Sequence, residues 1–215
     1  MPFRTMLSVV GVDHSGDDVK IAADLCRDIE AHLSVVVLAV AAPPPVGEYA
    51  AVVSAAWLEE RQEDTRKLEK RVKEIAALAA LDGVSADVSG EYAEQAWADV
   101  AVGRHARYAD LSIVGPELTG SAQLKARVLD GVLFEAERPA LVVPEGGRAT
   151  LRPRTVMVAW NSGLEASRAV RESLEILAGA ENVHVAMVDP EADENGPEPG
   201  AEGAAYLARH GARVT

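Results

Sequence analysis

The chain has 215 residues, is 48% hydrophobic and only 4% aromatic, and carries a formal net charge of −13. That much apolar material supports a packed core and argues against disorder. The acidic balance repels phosphate backbones and anionic lipid headgroups, so no nucleic-acid partner and no membrane are expected. Its one cysteine, Cys26, has no partner for an intrachain disulfide, and residues 1–5 lack the order of a signal peptide, which together read as cytoplasmic.

Residues 5–12 form an apolar run with Val9, Val10 and Val12, short enough for a strand buried on both faces. Asp13, Ser15 and Gly16 break it. A helix is predicted over 18–32, with Val19, Ala22, Ala23, Cys26 and Ile29 at helical spacing, which makes Cys26 an inert core residue. A second strand follows over 33–40. Strand, helix and strand in this order, with apolar strands, predict a parallel sheet with right-handed crossovers.

Pro43, Pro44, Pro45 and Gly47 predict a loop, and a long helix is expected over 54–81. Its apolar stripe is Leu58, Thr65, Leu68, Val72, Ile75 and Ala79, and its outer face pairs Glu63 with Lys67 and Glu69 with Lys73. A short third strand is read over 84–88, a helix over 92–108, and a fourth strand over 111–114 that ends on Gly115. A loop runs to Gly120, a helix spans 123–136, and a fifth strand covers 139–143. The predicted fold is α/β: an open five-stranded parallel sheet with helices on both faces, over residues 1–144.

Residues 145–153 read as a linker, with Gly146, Gly147 and Pro153. Arg154 and Thr155 then echo Arg4 and Thr5, and Asn161, Ser162 and Gly163 stand where Asp13 to Gly16 stood. From there the match is read at a constant offset of 147, pairing Asp18 with Glu165, Ala22 with Ala169, Val36 with Val183 and Val40 with Met187. The repeat predicts that 154–215 is the first half of a second copy. Gly211 to Val214 would parallel Gly83 to Ala86, and the rest of that copy would follow Thr215.

The pattern resembles the universal stress protein family in its tandem two-domain form. Three features carry the resemblance: the first strand ending in Asp13 with Ser15 two residues on; the fourth strand ending Ile113-Val114-Gly115; and the closing segment from Val132-Leu133 to Pro139-Ala140-Leu141-Val142-Val143-Pro144. The resemblance implies a non-enzymatic stress-response module, with ATP as candidate cofactor over the carboxyl ends of strands one, two and four. Asp13 would meet the adenosine portion, Val40 would line the adenine pocket, and Gly115 would open the phosphate loop. The family also implies a homodimer, or a pseudo-dimer of the two halves, through the last strand, Leu141, Val142 and Val143.

The family's phosphate loop has a Gly, two residues, Gly, nine residues, then Gly with Ser or Thr. Here the second glycine position holds Leu118 and the final pair falls on Ala126 and Arg127. Gly120 and Ser121 offer a substitute at the wrong spacing. Pro116 removes an N–H and Glu117 adds negative charge, so the loop reads as degenerate. An ATP-binding or ATP-hydrolysing enzyme of the adenine-nucleotide α-hydrolase-like group is the alternative, but no catalytic acid or base stands out.

No histidine has metal-ligand spacing and no metal is expected. His14 sits where a ligand contact is conceivable, and His184 reads as a core residue. Ser15 and Ser162 read as helix N-caps, and the acids over 189–202 as a solvated loop.

Overall fold

The computed structural model describes residues 3–41, 55–81, 83–188 and 200–215. The chain divides into two compact units, Met1–Ala149 and Thr150–Thr215.

In the first unit the strands are β1 (Thr5–Gly11), β2 (His32–Ala41), β3 (Ala86–Glu94), β4 (Leu111–Val114) and β5 (Ala140–Val142). They form one parallel sheet in the order β3-β2-β1-β4-β5. The helices are α1 (Asp17–Ile29), α2 (Ala55–Leu81), α3 (Ala98–Ala106), α4 (Pro116–Gly120) and α5 (Ala122–Asp130), the last running into a π turn over Gly131–Glu135. The predicted five-stranded α/β sheet is the observed one.

Alternation along the strands divides the core in two. Leu7, Val9, Val36, Leu38 and Val114 are buried against Ala98, Ala101 and Val102 of α3 and Leu124 and Val128 of α5. Met6, Val10, Leu33, Val35 and Val37 are also buried, on the opposite face by strand alternation, where α1 and α2 touch each other and both touch β2. Central strands buried on both faces explain why they read as continuous apolar runs.

Several sequence boundaries move. The helix expected over 92–108 begins only at Ala98, because β3 pairs with β2 as far as Ala41↔Glu94 and a 3-10 turn, Gln95–Trp97, intervenes. The helix expected over 123–136 closes in the π turn. There Gly131 and Gly103 bring that segment and α3 together, and a Cβ on Gly103 would lie 2.5 Å from the Glu135 Cβ. Residues 116–120, expected as loop, form α4. On α2 only Leu68, Val72, Ile75 and Ala79 of the stripe face inward; Leu58 and Thr65 are exposed. The ion pairs recorded on that helix are Glu63–Arg66, Lys70–Glu74 and Arg71–Glu74. The proline loop at 43–47 lies outside the described residues.

The second unit contains β6 (Thr155–Ala159), α6 (Leu164–Glu172), α7 (Leu174–Gly179), β7 (Asn182–Ala186) and α8 (Ala201–Arg209). β6 and β7 are parallel, with Val214 bridged to Val183. Val183 donates its N–H to the Arg213 carbonyl as Leu33 donates to that of Ser85. Strand pairing matches Thr5↔His32 with Thr155↔Asn182, a displacement of 150, whereas the helix caps Gly16 and Gly163 are displaced by 147. The constant offset of 147 therefore fails beyond the helix. The helix breaks at Ser173, whose hydroxyl donates to the Ala169 carbonyl, and the extra residues restore the strand displacement. Structurally Val183 matches Leu33, not Val36. His184 is exposed rather than in the core, with Nδ1 2.8 Å from the Thr215 hydroxyl. Residues 189–199 of the acidic segment lie outside the described residues.

Candidate functional site

The chain runs from β1 outward to β2 and β3, then returns to place β4 on the other side of β1. Ligands of open α/β sheets bind at such a reversal, beyond the carboxyl ends of the two strands. Two segments meet there: the β1–α1 loop over residues 12–16, and Gly115 with the first turn of α4.

Gly16 ends the first loop with φ 99°, a left-handed conformation open to glycine. The N–H groups that follow have no partner within α1, because the first turn of any helix leaves its donors free. Glu117 takes them. Its Oε1 accepts from Ser15 N–H at 2.6 Å, and its Oε2 accepts from Gly16 at 3.1 Å, Asp17 at 3.1 Å and Asp18 at 3.5 Å. Burial alone would raise the Glu117 carboxyl, but the N–H groups of Ser15, Gly16 and Asp18 hold it below its ordinary value.

Asp18 returns the contact. Its carboxylate is buried at 1% exposure and accepts the N–H groups of Glu117 at 3.1 Å and Leu118 at 2.9 Å. It lies so close to Gly115 that a Cβ there would fall 2.2 Å from its Cγ. Gly115 is therefore explained by Asp18, with no phosphate needed. Thr119 N–H goes to the Gly115 carbonyl, Ser121 N–H to that of Leu118, and Pro116 has none to give. Of the N–H donors that a phosphate loop would offer, those of Glu117, Leu118, Thr119 and Ser121 are thus bound by the protein itself.

His14 completes the group: His14, Asp18 and Glu117 each present one ligand-type atom, all within 4.8 Å of one another. His14 Nδ1 accepts the Gly11 N–H at 3.2 Å, so one of its two ring nitrogens is engaged by the backbone. On the outer side, Arg71 of α2 donates Nη2 to the His14 carbonyl and pairs Nη1 with Glu74.

Of the residues singled out in the sequence, Asp13 and Gly115 lie in the two loops at the reversal, and Asp13 is exposed. Val40 is half-buried at the carboxyl end of β2, paired with Ala93 and packed against the α3–α5 core. Gly120 ends α4 with open space where a Cβ would stand, so its backbone has no demand for glycine. Ser121 precedes α5 and makes no side-chain capping bond. Ser15 and Ser162 are not the caps. Gly16 and Gly163 hold those positions, although the Ser15 hydroxyl does accept the Asp17 N–H. Asp18 was missed as a site residue because its helical spacing reads as ordinary. The signal was its place in the first turn of α1.

No family model and no curated protein matches the sequence. Solved structures do. A universal stress protein from Archaeoglobus fulgidus DSM 4304 is similar at a TM-score of 0.58 and 14% identity, over 97% of this chain and 74% of that one. A protein of the universal stress protein family from Burkholderia pseudomallei is similar at 0.40 and 18%, over 66% of this chain and 96% of its own. A universal stress protein in complex with cAMP is similar at 0.40 and 17%, over 66% and 97%. The fold of this chain is that of the universal stress proteins.

Proposed function

We propose that the chain is a universal stress protein of the tandem kind, a non-enzymatic module that acts by pairing and by binding at the β1–β4 reversal. The candidate ligand class is an adenine ligand whose adenosine portion would meet Asp13 and Val40, with ATP itself weak or absent in the first unit because its phosphate loop is degenerate. The observation that carries the degenerate-loop reading is the use of both loops' N–H donors by Glu117 and Asp18. A triphosphate does not fit those donors as they stand. Turnover is disfavoured by the same contacts, because both carboxylates are held as caps and neither is left to act as a general base.

Pairing would run through the sheet edge at β5. Leu141 is half-buried and Val142 is 49% exposed there. Val143 is buried and follows β5, so the surface for pairing is that of Leu141 and Val142. An edge strand is a template for a partner strand. The lone buried Cys26 supports a reducing, cytoplasmic setting. Among the described residues no helix is long and apolar enough to cross a membrane.

Calorimetric titration of adenosine and ATP into wild type and Asp13→Ala tests the ligand. Adenosine binding that is lost in Asp13→Ala is expected. Steady ATP hydrolysis abolished by one side-chain change would favour the enzyme alternative. Sedimentation of Val142→Asp tests pairing: the reading requires a shift toward the smaller species.

A further inference from the structure

The Glu117 contact is shaped like a ligand contact. A carboxylate delivered from β4 enters the open first turn of α1 and collects the donors of four consecutive residues. An anion at a helix N-terminus is stabilised by those N–H groups and by the helix dipole. In this chain the anion is part of the protein. With Asp18 beside it, the crevice already holds two carboxylates within 4.8 Å.

We propose that Glu117 determines the specificity of this crevice: its carboxylate occupies the N–H cradle that a phosphate group would need, so the crevice rejects phosphorylated ligands. The proposal deepens the adenine-ligand reading and rests on it only for the nucleoside part. Two physical effects act in the same direction. The donors are already satisfied, so an incoming phosphate gains nothing until Glu117 is displaced. The Glu117 and Asp18 charges repel any phosphate that approaches, and screening is weak in a partly buried site. An uncharged nucleoside meets neither obstacle. The residue that adds negative charge to the phosphate loop in the sequence fills the neighbouring start of α1 in the structure. Asp18 takes the loop's own Glu117 and Leu118 N–H groups.

Removing the carboxylate should open the cradle. The full chain is compared as wild type, Glu117→Gln, Glu117→Ala and the control Glu63→Gln, which removes one exposed negative charge on α2. Each is titrated with inorganic phosphate, pyrophosphate, ATP and adenosine, with binding read by calorimetry and by thermal shift. Wild type and Glu63→Gln should respond to none of the three phosphates. Glu117→Ala should bind pyrophosphate and ATP with a gain of roughly ten- to a hundredfold, the range expected for hydrogen bonds to a charged group. Glu117→Gln, which keeps an acceptor but no charge, should fall between.

Two results would overturn the proposal: wild type that binds ATP or pyrophosphate as tightly as Glu117→Ala, or a folded Glu117→Gln with no gain over wild type. The adenosine arm separates this from the broader reading. Pyrophosphate binding gained by Glu117→Ala with no variant binding adenosine supports the gate and sinks the adenine ligand.

Discussion

Glu117 and Asp18 cap each other's helices. The Glu117 carboxylate accepts N–H groups from the first turn of α1, which carries Asp18, and the Asp18 carboxylate accepts those of Glu117 and Leu118 in α4. The pair is a reciprocal capping arrangement built between two helices instead of within one.

Reciprocity makes the two side chains energetically coupled. Asp18→Asn puts an amide N–H₂ against backbone donors in a buried position and should cost about 2–3 kcal/mol. Glu117→Ala, at a less buried cap, should cost about 1–2 kcal/mol. The double variant should lose less than the sum, by about 0.5 kcal/mol or more, because each change already weakens the other cap. Urea unfolding of the four proteins measures it, and strict additivity would contradict the coupling.

The depressed Glu117 carboxyl fixes the sign of a pH effect. A carboxyl held lower in the folded chain than in the unfolded one adds stability at pH above the ordinary glutamate value. That contribution is lost as pH falls through the folded value. Wild type should therefore exceed Glu117→Gln in stability at neutral pH, and the gap should close under acid. Thermal unfolding across pH 7 to 3 checks it, and a gap that widens in acid would reverse the assignment.

Gly115 and Gly120 should respond in opposite ways to alanine. At Gly115 the added Cβ would collide with the buried Asp18 carboxylate at 2.2 Å, where nothing can move cheaply. The expected loss is about 2–4 kcal/mol, in the range of an overpacked core. At Gly120 no atom lies within 4 Å and φ is not left-handed, so Gly120→Ala should be neutral or stabilise by about 0.5 kcal/mol. Equal effects would contradict the close Asp18 contact as the reason for glycine at 115.

Burial pushes the Cys26 thiol up to about 12. The thiolate that reacts with disulfide reagents is thus scarce at neutral pH. Labelling of Cys26 should be slow in the folded chain and should follow unfolding as urea is added. Fast labelling under native conditions would place the residue outside the core.

The central strands were legible because burial on both faces writes an unbroken apolar run, as in Val35, Val36 and Val37. β3 was under-read. Its outer half, Ser89 to Glu94, carries glycine and charge, and only pairing with β2 holds it extended. The repeat offset of 147 was read through the helix, but nothing in local sequence marks how a three-residue surplus at the Ser173 break resets the strands. At the site, Asp13 and Gly115 were found by their places at strand ends. The negative charge of Glu117 was noticed as an obstacle to phosphate. That it would cap α1 depends on a contact between residues 99 to 102 positions apart, which no local pattern reports.

That separation bears on how the first unit assembles. During folding, Glu117 cannot reach the first N–H groups of α1 until β4 has docked beside β1 and brought it there. Of the donors it takes, only the Asp17 N–H has a local acceptor among the described residues, the Ser15 hydroxyl. Contacts of such long range carry a loop-closure cost and tend to form late. Interactions absent from the transition state act on escape from the native state, not on its formation. The Glu117–Asp18 exchange is then a latch on the unfolding rate, holding the β1–β2–β3 and β4–β5 halves of the sheet shut once they have met.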